Sequence, residues 1–220
     1  LDANGCLRPA LAGPAERLAD AADAADAGPG IAALFGGVIE ALNDRFDPAG
    51  RRLSAAVFAR VCWTCSGAHP ELRAALHEAG IADEAALHAR HARLRGDRRP
   101  LAGALRRIVV LSRVTLGADI LLTSVLLQAL RAAHPSAELI VIGDGKLSGL
   151  FGGLPGCRID PLRYRRRGAL GERLAAWLGL RARINALAPD AVVAPDSRLD
   201  QLGLLPVIAE HRYPLCENLF

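Results

Sequence analysis

The run RIVVLSRVTLGADILLTSVLLQALRAAHPSAELIVIG, residues 107–143, decides the fold. Arg107-Ile108-Val109-Val110-Leu111-Ser112 is a short apolar, β-branched run, the pattern of a strand buried on both faces. A glycine-containing turn, Arg113–Asp119, follows it. Ile120–His134 then predicts a helix, apolar at Ile120, Leu121, Val125, Leu126, Ala129 and Leu130, and His134-Pro135-Ser136 stops it. Glu138–Gly143 is a second apolar strand. The two strands start about thirty residues apart, the length of one βαβ unit.

Working downstream, Gly145–Phe151 predicts a short helix and Cys157–Asp160 a weak third strand. Gly168–Leu187 predicts a long helix, Asp190–Ala194 a fourth strand, and Tyr213–Phe220 the start of a fifth. Repeated β-α units predict an α/β fold: a Rossmann-like, doubly wound parallel sheet over residues 101–220.

Upstream, residues 1–100 predict an all-α domain that precedes the sheet. Pro14–Ala27 is rich in good helix formers, with Pro14 at the first position and Gly28-Pro29-Gly30 as its end. Ile31–Phe46 carries apolar residues at Ile31, Leu34, Phe35, Val38, Ile39 and Leu42, a helical stripe. Asp47–Gly50 reads as a turn, Ser54–Cys65 as a buried helix, Glu71–Glu78 as a helix closed by Gly80, and Ala82–Leu94 as a fifth helix. Arg95–Pro100 is the polar boundary. Cys62-Trp63-Thr64-Cys65 has three readings: a redox pair, half of a zinc site with His69 or His77, or buried free thiols. A redox pair belongs at a helix N-terminus, where the dipole lowers the thiol pKa, and this pair sits at the other end, so free thiols are expected. His88 and His91, three apart, suit a metal by spacing; without a carboxylate cluster they predict a solvated face.

Composition narrows the function classes. The chain has 220 residues, 51% hydrophobic and 23% charged, which excludes a disordered chain. No apolar run approaches the roughly 20 residues of a membrane span, and Leu1–Leu11 carries no secretory pattern. The five cysteines are therefore expected reduced. All basic residues but Lys146 are arginine, a bias that fits a GC-rich genome, so arginine content is not counted as a nucleic-acid signal. No nucleic-acid partner is expected. Methionine is absent altogether, and the chain is expected to be a fragment. Residues 1–100 carry a net charge of −1 and residues 101–220 one of +5, which places the anion-binding half downstream.

Open α/β sheets bind ligands beyond the carboxyl ends of their strands. Two polar loops fall there, Arg113–Asp119 and Pro195–Asp200. The first sets backbone N–H groups and the hydroxyls of Thr115 and Thr123 at a helix start, a cradle for phosphate or another anion. Asp119 has two readings at that helix start, an N-cap and a general base. Lys146 follows a strand within Gly143-Asp144-Gly145-Lys146-Leu147-Ser148, without the Walker spacing, and is a candidate substrate contact. No Gly-x-Gly-x-x-Gly follows the first strand. Arg163-Tyr164-Arg165-Arg166-Arg167 is the densest basic patch: a solvated loop, or a contact for phosphorylated substrate or acidic lipid headgroups.

Residues 108–143 resemble the start of glycosyltransferase family 9, the heptosyltransferase-like enzymes. Arg113, Leu116, Gly117, Asp119, Leu121–Thr123 and His134-Pro135 echo that family's first loop and helix, and residues 189–207 look like its later strand and loop. The family places Gly directly before Asp; here the order is Gly117-Ala118-Asp119, which marks a divergent subfamily. The resemblance implies a GT-B arrangement of two Rossmann-like domains, of which residues 101–220 would be the N-terminal, acceptor-side half, with the donor domain missing. It implies metal-independent, inverting transfer from a nucleotide-sugar to an acceptor hydroxyl in cell-surface glycan or lipopolysaccharide synthesis, with no cofactor and no metal. Asp119 would be the catalytic base. Arg113, Thr115, Gly117, Thr123, Lys146, Asp196, Ser197 and Arg198 would bind substrate. The partners would be the donor and a glycan or lipid-linked acceptor. The location would be cytoplasmic, peripheral to the inner face of the membrane through Arg163–Arg167. Two other classes stay open: a catalytically degenerate binding or assembly module, and another nucleotide-binding Rossmann enzyme.

Overall fold

The structure is a computed structural model; it describes residues 1–2, 7–96, 101, 103–112, 117, 119–162 and 168–194. By contact they fall into two units: one from residues 1–93 and 168–178, the other from 94–162 and 179–194. The predicted fifth strand, Tyr213–Phe220, lies outside the described residues, as does the Arg163–Arg167 patch.

Among its described residues up to 93, the first unit contains helices and no strand. Helix α1 (Pro9–Asp23) begins on Pro9, whose missing N–H is no loss at a first turn. Pro14 lies inside this helix and does not start it. Ala15, Ala19 and Ala22 form its buried stripe. The Gly28-Pro29-Gly30 triplet opens the next helix rather than ending α1. That helix, α2, runs through Gly28–Ala32, Ala33–Glu40 and Ala41–Asn43. Gly30 is required there by close approach, because a Cβ would stand 2.2 Å from the Ala21 carbonyl oxygen. The middle of α2 is wound as a π-helix, and its buried residues, Leu34 and Ile39, are five apart rather than three or four.

Helix α3 (Pro48–Ala68) starts where a turn is predicted. Asp47 is its N-cap, with Oδ1 accepting from the Gly50 N–H at 2.5 Å, and Pro48 is its first residue. That hydrogen bond and the nearby Arg45 hold the Asp47 carboxyl below its ordinary range. The centre of α3 is buried on most sides, Phe58, Ala59, Val61 and Cys62 completely so. Helix α4 (Pro70–Glu78) ends at Gly80, whose φ of +76° suits a residue without Cβ. Helix α5 (Glu84–Gly96) buries His91 to 3% exposure, so the predicted solvated histidine face is not observed; the helix turns this side inward together with Leu87 and Leu94.

The second unit holds a sheet of β1 (Arg107–Leu111), β2 (Glu138–Gly143), β3 (Cys157–Pro161) and β4 (Ala191–Val193). All pairings are parallel and the order is β3-β2-β1-β4, compatible with a Rossmann-like α/β fold. Both faces are covered. Ile108, Val110, Leu139, Val141 and Val193 pack with Leu126, Leu127, Leu130 and Phe151 on one side. The alternate residues Val109, Leu111, Ile140, Ile142 and Val192 are equally buried. Each such side chain contributes about 1.5–3 kcal/mol of transfer free energy.

Helix α6 comprises a π-wound first turn, Asp119–Thr123, and an α segment, Ser124–Ala133. Its inward stripe is Thr123, Leu126, Leu127 and Leu130. Ile120, Leu121 and Val125, predicted on the apolar face, are exposed by 47–71% instead. Helix α7 (Gly145–Leu147 continuing as Ser148–Phe151) links β2 to β3, and α8 (Leu170–Leu187) precedes β4. Among the described residues no helix is long and apolar enough to cross a membrane.

Candidate functional site

The two ends of the sheet differ in what they leave open. At the amino edge charged groups satisfy one another. Glu138 takes Arg107 at 2.8 Å and Arg158 at 3.1 Å, and Asp190 accepts the backbone N–H groups of Arg106 and Arg107. Arg131 donates to the carbonyls of Pro135, Ala137 and Gly156. These groups lock turns and are consumed in doing so.

The Glu138 carboxyl is held below its ordinary 4.5 by its hydrogen bonds to Arg107 and then Arg158. A depressed carboxyl adds stability above the unfolded-state pKa and loses it as pH falls through the folded value. Acidification below about 4.5 should therefore narrow the gap in urea midpoint between wild type and Glu138→Gln. A gap that widens on acidification would contradict the pairing.

The carboxyl edge is where the chain changes direction. From β1 it steps through β2 to β3 on one side, and then crosses to β4 on the other side of β1. In open α/β sheets ligands bind beyond the strand ends at such a reversal of order. Ser112 follows β1, with its N–H donating to the Ile142 carbonyl at 2.9 Å. Gly143 ends β2 and must be glycine: a Cβ there would lie 2.4 Å from the Ser112 Cβ and 2.7 Å from Leu147 Cδ1. Beside it, Asp144, Gly145, Lys146 and Pro161 line an open hollow of about 860 Å³. Asp144 Oδ1 accepts the Lys146 N–H at 3.0 Å and so fixes the turn that carries the lysine. Among the described residues the Lys146 ammonium has no partner. Asp160, near the end of β3, is 2% exposed and is taken up by Arg183, whose Nε donates to Oδ2 at 2.7 Å.

The sequence-derived site residues are distributed as follows. Asp119 is the first residue of α6. Gly117, two residues before it, is exposed with open space where a Cβ would stand. Lys146 borders the hollow at the end of β2. Thr123 is completely buried beneath α6, so its hydroxyl does not face solvent. Arg113, Thr115, Asp196, Ser197 and Arg198 lie outside the described residues. The strands that lead to them, β1 and β4, are neighbours in the sheet.

A second cluster lies in the helical unit. Asp23 at the end of α1, Cys65 in α3 and His69 just past its end offer ligand atoms all within 4.8 Å of one another. His69 Nε2 stands 2.7 Å from Asp23 Oδ2, and the Gly171 N–H donates to Asp23 Oδ1 at 2.6 Å. Burial first, then the Asp23 charge and its hydrogen bond, push the Cys65 thiol up to about 12. Burial first, then Cys65, raises Cys62 as well. Both are free thiols. His77 has a different use, edge-on to Trp63 at 6.3 Å. The Cys65–His69 pair carries an i, i+4 signal in the sequence; Asp23, 42 residues before Cys65, carries none.

A scan of protein-family models, a search of curated proteins and a search of solved structures each returned no match.

Proposed function

We propose that the sheet-bearing unit binds a phosphorylated, sugar-bearing ligand at the carboxyl edge of its strands. The observation that carries this reading is the strand order β3-β2-β1-β4, in which β1 and β4, the strands that the two polar segments follow in sequence, are neighbours at the point of reversal. The hollow beside Lys146 supports it, since a cation on a fixed turn, without a partner among the described residues, suits an anionic ligand.

The resemblance of residues 108–143 to glycosyltransferase family 9 narrows the reading to sugar transfer. In it the unit is the acceptor-side domain of a GT-B enzyme, preceded by a helical domain. Asp119 takes the acceptor hydroxyl proton as the oxygen attacks the anomeric carbon, and the nucleoside diphosphate leaves from the opposite face. Arg113, Arg198 and the N-terminus of α6 offset the developing charge. Thr123, being buried, supports the loop rather than touching substrate.

The test is release of nucleoside diphosphate from a panel of nucleotide-sugars by the protein that carries this chain. At least one donor should be turned over, at the same rate with and without added Mg²⁺ or Mn²⁺. Turnover that requires the added cation would contradict the metal-independent mechanism. Tight binding without turnover of any donor would favour a binding module.

A further inference from the structure

We propose that Asp23, Cys65 and His69 form a zinc site with three protein ligands and an open fourth position. The site lies within the first unit and serves no step of the reading above.

The donor set is the first argument. Thiolate sulfur, imidazole nitrogen and carboxylate oxygen are the three ligand types that zinc accepts, and three protein ligands leave a position for water or substrate. At zinc–ligand lengths of about 2.0–2.3 Å, tetrahedral ligands stand roughly 3.3–3.6 Å apart. The three ligand atoms already lie within 4.8 Å of one another, so small side-chain rotations close the shell.

Support around the ligands is the second. Asp23 is held by the Gly171 N–H, the kind of outer hydrogen bond that aims a metal-binding carboxylate. Gly171 also lets the imidazole in, because a Cβ there would lie 1.9 Å from His69 Nε2. Cys65 and His69 are i, i+4 at the end of α3, where the backbone leaves helical geometry at His69 (φ −124°, ψ 88°).

Access is the third. The Asp23 side chain is 15% exposed and that of His69 36%, while Cys65 lies beneath at 3%. A cation reaches the site from solvent and finds the soft ligand at its floor. With no cation, His69 Nε2 and the Cys65 thiol both hydrogen-bond to the Asp23 carboxylate. A divalent ion replaces those two bridges and relieves the repulsion of a thiolate beside a carboxylate.

Cobalt(II) is the probe, on untagged protein first freed of metal. One equivalent should bind, with a sulfur-to-cobalt charge-transfer band in the near ultraviolet and the strong visible bands of four-coordinate cobalt. Zinc should displace it and raise the melting temperature. Cys65→Ser should abolish the charge-transfer band. Asp23→Asn and His69→Gln should weaken binding by roughly 100-fold or more. Asp23→Asn can still accept the Gly171 N–H, and circular dichroism confirms its fold. Cys62→Ser should bind like wild type. Absence of one-to-one uptake, a band that survives Cys65→Ser, or one lost in Cys62→Ser instead would overturn the assignment.

Discussion

Replacing Asp119 by asparagine should lower sugar-transfer turnover by about 10²–10⁴-fold while leaving the urea midpoint unchanged. The choice of asparagine separates the two roles open to this residue. Asp119 opens the described part of α6, and if its role were that of a helix cap, asparagine would serve about as well as aspartate does. It cannot accept a proton at neutral pH. A cap alone therefore predicts a silent Asp119→Asn, and a loss of about 1 kcal/mol with normal turnover in Asp119→Ala. A base predicts that both variants fold and both fail in catalysis. The measurement is the rate of diphosphate release, paired with urea unfolding of the same samples. Wild-type turnover in Asp119→Asn would remove this residue from the mechanism.

The second large effect concerns the sheet. Ile140 is completely buried at the middle of β2, in register with Val109 on β1 and Arg158 on β3. Ile140→Ala should cost about 2–5 kcal/mol, and Ile140→Val about 0.5–1.5 kcal/mol. A domain of ordinary stability has only about 5–15 kcal/mol to lose, so the alanine variant should unfold at a much lower urea concentration. A cost below that of the valine variant would mean that β2 is not covered on both faces.

What the sequence made legible follows from the physics of each element. Strands β1 and β2 are buried on both sides, so Ile108–Leu111 and Leu139–Ile142 read as unbroken apolar runs, and their bounds match the expectation closely. β3 is shorter on apolar residues and more exposed, yet its turn residues still delimited it. The helices before the sheet were readable in number but not at their ends. Proline and glycine were read as punctuation, whereas Pro14 sits within α1 and Gly30 serves a close crossing with Ala21.

Two features escaped for a shared reason, the assumption of a regular 3.6-residue turn. The π-wound middle of α2 moves its buried positions to Leu34 and Ile39, and the π-wound first turn of α6 leaves Ile120 and Leu121 outward. The candidate site residues were chosen only where local pattern sufficed. The glycine segment after β1 and the Gly-Lys turn after β2 are local in sequence, and the two strands they follow pair in parallel. The approach of Asp23 to Cys65 and His69 is purely tertiary, joining α1 to the end of α3.

The most direct test of a ligand-binding carboxyl edge is an amide NMR titration of the protein with the nucleotide-sugar that it turns over or binds best. The account predicts shifts concentrated at Ser112, Gly117, Asp119 and Asp144–Lys146. Shifts confined to the opposite edge, around Arg131, Ala137 and Gly156, or to the helical unit would contradict it.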